Sequence, residues 1–168
     1  RDPHVVTIKA AIYRTASDSK VIEALIEAAE NGKQVAVMVE LKARFDEKNN
    51  LDWVRTLEEE GIHVAYGTLG LKTHTKTALV VRDESDADRR REETDAGVTL
   101  YSHIGTGNYH SETAKGYVDL GLLTADPAIG NDLVKLFNFF TGPVLDESFD
   151  KLLIAPVTMR AEFTDRIR

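Results

Sequence analysis

No cysteine occurs among the 168 residues, which excludes disulfides, thiolate catalysis and cysteine-based zinc sites and suits a cytoplasmic setting. Any metal would have to bind through oxygen ligands or through phosphate. No apolar run reaches the roughly 20 residues that a membrane helix needs, and no signal peptide precedes the first strand-like segment. There is no surplus of positive charge either. A net charge of −7 argues against a surface that attracts a polyanion as a whole, because long-range attraction follows the summed field. Nucleic acid is therefore not an expected partner, and a phosphate ligand would need a local basic pocket. The chain also lacks an internal repeat and a second His-x-Lys. What remains is a globular composition, 42% hydrophobic, in a chain long enough for one domain with a core.

Along the chain, patterning predicts alternating strands and helices. Val5 to Tyr13 reads as a strand, and Asp18 or Ser19 as the cap of a helix through Ala24, Leu25, Ala28 and Ala29 that stops at Asn31-Gly32. Val35 to Val39 is a continuous apolar strand of the kind buried on both faces. A second helix is predicted over Leu51 to Glu60, ended by Gly61, with Ile62 to Tyr66 resuming the sheet. This βαβαβ order predicts an α/β fold with a mixed sheet flanked by helices. Thr75 to Arg82 and Val98 to Ile104 read as a hairpin pair around a charged, solvated loop over residues 83–97. A helical turn at Ser111 to Ala114, a strand from Tyr117 to Thr124 and a helix opened by Asp126-Pro127 follow. That last helix carries an apolar stripe of Ile129, Leu133, Leu136, Phe137 and Phe140, which predicts core. Trp53 in the second helix also reads as core.

The chemistry concentrates in Leu71-Lys72-Thr73-His74-Thr75-Lys76. On a strand, His74 and Lys76 would share a face. A neutral imidazole can attack phosphorus, and an adjacent ammonium can hold the oxygens on which charge collects. The plainer alternative is a surface histidine at a strand entrance with a solvated lysine beside it. Other basic residues recur at the ends of expected strands: Arg14, then Lys42 and Arg44, then Lys72 and Arg82. Strand ends are where α/β proteins gather ligand groups. Gly105-Thr106-Gly107-Asn108 is by itself a tight turn with weak phosphate-loop character. Salt bridging with Asp18 or Asp46 is the ordinary alternative for the two arginines, and a core position for Tyr117. His103 reads as structural, and His4, His63 and His110 have no partner pattern.

His74-x-Lys76 followed by Gly105-Thr106-Gly107-Asn108 resembles the phospholipase D superfamily, although that superfamily's usual Asp falls at Val81 here. The segments 11–15, 39–47, 72–76, 103–109 and 117–124 resemble, in this order, the histidine-autophosphorylating polyphosphate kinases, in the first of their two C-terminal catalytic domains. The resemblance implies a phospholipase D-like sandwich over residues 1–155, with 156–168 beginning the connection to a following domain. It implies that the γ-phosphate of ATP passes reversibly to inorganic polyphosphate through a phosphohistidine at His74. It carries the ATP-contacting tyrosine to Tyr117, an orienting role to Asn108 and a phosphate clamp to Lys76. It carries two arginines associated with the metal to Arg14 and Arg44. A guanidinium stays charged and does not ligate Mg²⁺, so both arginines are expected on phosphate oxygens that the metal also bridges. The implied cofactor is Mg²⁺ with ATP. The implied partners are ATP or ADP, polyphosphate, the remaining domains of the enzyme and further copies of it in a homo-oligomer. The family's second essential histidine and other ATP contacts have no counterpart in this chain, and the implied location is cytoplasmic or peripheral to a membrane. A phosphodiester hydrolase half-site and a non-catalytic nucleotide- or polyanion-binding module are the alternatives. A start without Met and an end inside a helix-like stretch, residues 157–168, suggest a piece of something longer.

Overall fold

The computed structural model describes residues 1–13, 16, 19–40, 47–67, 70–85, 97–142 and 148–168. The element order is β1 (Val5–Ile12), α1 (Lys20–Glu30), β2 (Gln34–Val39), α2 (Glu47–Glu59), β3 (His63–Tyr66), β4 (Lys76–Asp83), β5 (Val98–Gly105), α3 (Ser111–Ala114), β6 (Gly121–Thr124), α4 (Pro127–Thr141) and α5 (Met159–Ile167). The strands form one mixed sheet in the order β3-β2-β1-β4-β5-β6. β1, β2 and β3 run parallel through their helical crossovers, while β4, β5 and β6 join antiparallel. The expected mixed sheet flanked by helices is the architecture found.

Local signals explain most boundaries. The Ser19 hydroxyl accepts from the Ile22 N–H and caps α1, and Gly32 at φ 77° releases the chain on the far side. Gly61, at φ 74°, does the same after α2. Asp126 accepts from the Ile129 N–H ahead of Pro127 and starts α4.

Several boundaries differ from the sequence reading. α2 begins at Glu47, a turn before Leu51. Only Gly121–Thr124 of the expected 117–124 strand pairs with β5. Ahead of it, the Thr106 hydroxyl accepts from the Leu120 N–H at 3.0 Å and donates to Asp119 at 2.8 Å, so side-chain bonds replace ladder bonds there. β4 begins at Lys76, leaving His74 in the extended segment before it. In that segment the Thr73 N–H donates to the Glu40 carboxylate rather than to a neighbouring strand.

Two cores result. On one face, α1 and α2 cover β1 to β3 through Ile12, Ile22, Leu25, Val37, Val39 and Leu57. On the other, α4 covers the middle of the sheet through Ala11, Met38, Leu79, Leu133 and Phe137. Burying Leu57 and Leu79 completely contributes about 1.5–3 kcal/mol each. The first face is not covered evenly. Over β4 to β6 it is an open groove of about 430 Å³ lined by Ala78, Val80, Tyr101, His103 and Leu123, with Leu123 81% exposed.

Segment 148–152 is held to α4 by one side chain. Asp132 is fully buried and its carboxylate accepts the N–H groups of Asp150, Lys151 and Leu152 at 2.7–3.0 Å. Burial alone would raise its pKa, but these three donors and nearby Lys135 outweigh burial and hold it below 3.8.

Candidate active site

Strand directions bring the chemistry to one end of the sheet. Ala11 lies opposite Thr77 and Lys76 opposite Gly105, so the finish of β1, the start of β4 and the finish of β5 coincide there. Gly105 in turn lies opposite Gly121 at the start of β6. A cavity of about 300 Å³ opens at this end, and His74, Lys76, Asn108 and Tyr117 all line it, together with Tyr13 and Asp119. A second, more apolar cavity of about 400 Å³ lies on the α4 side of His74, against Phe140 and Ile154.

His74 is exposed whereas Lys76 is only 4% exposed, so Lys76 is not the solvated neighbour of the plainer reading. The Lys76 Nζ donates to the His74 carbonyl oxygen and lies 5.0 Å from the centre of the Tyr13 ring. An ammonium is costly to bury without such partners. The His74 segment is also anchored from below, because Glu40, at the end of β2 and 5% exposed, accepts from the Thr73 N–H at 2.9 Å. The sequence reading did not single out Glu40. Its place between Val39 and Leu41 was the available signal, since an acid in an apolar run is buried only with partners.

The Gly105–Asn108 turn forms the opposite wall. Thr106 bonds Asp119, and a methyl group at Gly107 would lie 2.6 Å from an Asp119 carboxylate oxygen, so a side chain there would push Asp119 aside. The Asn108 Oδ1 is buried without a protein partner. Tyr117 is 71% exposed and sits in the loop before β6, not in a strand or in the core. Arg14 and Arg44 lie outside the described residues. Val81 packs against the α4 core, so at the position of the superfamily's usual Asp this chain supplies an apolar contact.

His103 lies beside this wall. Its ring presses between Gly105 and Gly121, and its Nδ1 is 2.6 Å from the Tyr109 hydroxyl. Burial pushes the Tyr109 pKa up to about 12, so the phenol stays protonated, and the tautomer of His103 sets which of the two groups donates. His110 caps α3 by accepting from the Thr113 N–H.

Fold and site together define a phospholipase D-like α/β domain with a His-x-Lys facing a Gly-Thr-Gly-Asn turn. Residues 1–145 match the family model described as polyphosphate kinase C-terminal domain 1, and the chain belongs to that family. It is 60% identical over 159 residues to the polyphosphate kinase of a Synechocystis species, covering 95% of this chain and 20% of that protein. It is 54% identical over 166 residues to the Streptomyces coelicolor polyphosphate kinase, covering 99% of this chain and 21% of that one. The crystal structure of polyphosphate kinase from Porphyromonas gingivalis superposes with a TM-score of 0.80 at 37% identity, over 99% of this chain and 26% of the other. The chain thus spans about a fifth of the length of the curated relatives it matches.

Proposed function

We propose that this chain is the catalytic domain, over residues 1–155, of a longer kinase that moves the γ-phosphate of ATP reversibly to inorganic polyphosphate through a phosphohistidine at His74. The observation that supports it best is the single cavity shared by an exposed His74, a buried Lys76 and Asn108. A nitrogen of the neutral His74 ring attacks the γ-phosphorus, the bond to the β,γ-bridging oxygen breaks and ADP leaves. A terminal oxygen of polyphosphate then attacks the same phosphorus and the P–N bond breaks. The neighbouring Lys76 ammonium holds the oxygens on which charge collects. Asn108 orients the phosphoryl group, and Tyr117 at the exposed rim stacks on adenine. Arg14 and Arg44 hold further phosphate oxygens with bidentate forks.

Magnesium belongs to this scheme as the metal of ATP. Among the described residues the cavity's charged lining is Lys76 and a single carboxylate, Asp119, a donor set that fits a metal carried on the nucleotide's own phosphates. When bound with the nucleotide, Mg²⁺ would supply charge neutralisation to the phosphates that Lys76, Arg14 and Arg44 would hold.

Other parts of the enzyme complete the site. The open groove over β4 to β6 and the exposed Val118, Leu120 and Leu123 around β6 support further domains packing there, with residues 156–168 leading toward one of them. A homo-oligomer, and a location in the cytoplasm or peripheral to a membrane, belong to the same proposal and rest on the family resemblance. No helix among the described residues is long and apolar enough to cross a membrane. The test is polymer synthesis by the full-length enzyme with His74→Ala. Synthesis and acid-labile phosphate should both vanish while the melting temperature holds, because an exposed side chain outside the strands contributes little packing. Acid-labile phosphate retained on the Ala variant would make another residue the carrier.

A further inference from the structure

We propose that Tyr13 is a positioning residue of the phosphate-transfer site, acting through its aromatic ring on the His74 imidazole and the Lys76 ammonium. The proposal rests on the phosphohistidine reading above.

Tyr13 follows the last residue of β1 and is 8% exposed, directly after the buried Ala11 and Ile12. It is therefore fixed by the scaffold, whereas His74 is exposed in a segment outside any strand. The two rings meet edge to face, with centroids 4.8 Å apart and planes at 74°, the arrangement that the ring quadrupoles favour. The Nζ atoms of Lys76 and Lys72 lie 5.0 and 5.3 Å from the Tyr13 centroid, inside the roughly 6 Å range of a cation–π contact. One ring thus touches the proposed nucleophile, the proposed clamp and a second cation, and it lines the cavity that His74 and Lys76 share.

The chemistry gives this contact a task. In-line transfer needs the imidazole nitrogen and the phosphorus about 3–3.5 Å apart and aligned, and a misplacement of about 1 Å can cost on the order of a hundredfold. Attack needs one ring plane among the rotamers open to an exposed histidine. Tyr13 fixes it from the rigid side of the site and holds the Lys76 ammonium in the same frame. The negative face of the ring attracts that cation without removing its charge.

The test measures phosphohistidine formation by rapid quench in the full-length enzyme with MgATP. Tyr13→Phe keeps the ring and should form phosphohistidine within about twofold of wild type. Tyr13→Met fills similar space without a ring and should be slower by at least about tenfold in kcat, with KM for ATP changed less than about threefold. Replacing Tyr13 by phenylalanines with one, two and three ring fluorines preserves shape while weakening the negative face, and the rate should fall stepwise along that series. A purely structural role would leave the series flat. A flat series, a Met variant at the wild-type rate, or an equal loss in Phe and Met would each overturn the proposal. Failure of wild type to form phosphohistidine would instead strike the functional reading on which it rests.

Discussion

The two halves of the sheet follow the same packing rules and end in different states. β1 to β3 form a parallel half whose upper face is sealed by α1 and α2. β4 to β6 form an antiparallel half whose corresponding face is an open groove. The sealed half behaves as scaffold: its strand ends present Tyr13 and Glu40, both nearly buried, to the site. The open half carries His74, Lys76 and the Gly105–Asn108 turn at its edge, next to exposed apolar side chains. Rigid support and unfinished surface meet at the candidate active site, the expected arrangement if one structure must hold a nucleophile still while something else closes over it.

The sharpest way to break this comparison is to ask whether the chain works alone, with its open half left uncovered. The purified 168-residue chain should make essentially no polyphosphate, on the order of a thousandfold less than the full-length enzyme. Its cavity faces water on one side, where charge contacts are screened and loosely placed. Robust His74-dependent synthesis by the chain alone would falsify the half-site account. Stability should divide along the same line. Leu57→Ala in the sealed half removes a fully buried side chain and should cost about 2–5 kcal/mol in denaturant unfolding. Leu123→Ala in the open half, at a position 81% exposed, should cost less than about 0.5 kcal/mol. Equal costs would mean that the groove is filled from within the chain.

Asp132 tests the anchoring of the segment beside α4. Asp132→Ala leaves three backbone N–H groups without their acceptor and should cost about 2–4 kcal/mol, since each buried orphan costs about 1–3 kcal/mol and water can reach some of them. The native carboxylate's pKa lies below its unfolded value of 3.8. Its contribution is therefore complete above that pH and is lost as pH falls below 3.8 through the folded value. In acid the difference between wild type and Asp132→Ala should narrow, and a difference independent of pH from 7 to 2 would contradict the assignment. The smallest of the effects on activity concerns Arg14→Lys and Arg44→Lys. Each should lower turnover by at least about tenfold, equivalent to about 1.4 kcal/mol or more of transition-state stabilisation, because a bidentate fork becomes a point charge. Wild-type rates in both would remove the two arginines from the site.

Periodicity and end signals made most of the fold legible. The βαβαβ half follows from apolar runs punctuated by Asn31-Gly32 and Gly61, and α4 from Asp126-Pro127. What escaped was held by side chains reaching across the chain. A strand pattern over Tyr117 to Leu120 could not anticipate that Thr106 would take the Leu120 N–H. Nor did the His-x-Lys spacing disclose that Glu40 ties Thr73 down and leaves His74 outside β4. Asp132 did leave a trace: it sits three residues after Ile129 and four before Leu136, inside the apolar stripe of α4, where an acid requires partners. The motif residues were found because their spacing is local, but the Tyr13 contact joins residues 61 positions apart and shows only in three dimensions.

The most direct measurement is to incubate the full-length enzyme with MgATP, digest it under alkaline conditions that preserve phosphoramidates, and locate the phosphate by mass spectrometry. The account predicts one acid-labile phosphate on the peptide containing Leu71 to Lys76, borne by the His74 ring and discharged when polyphosphate is added. Phosphate on any other residue, or polymer growth with His74 never phosphorylated, would contradict it.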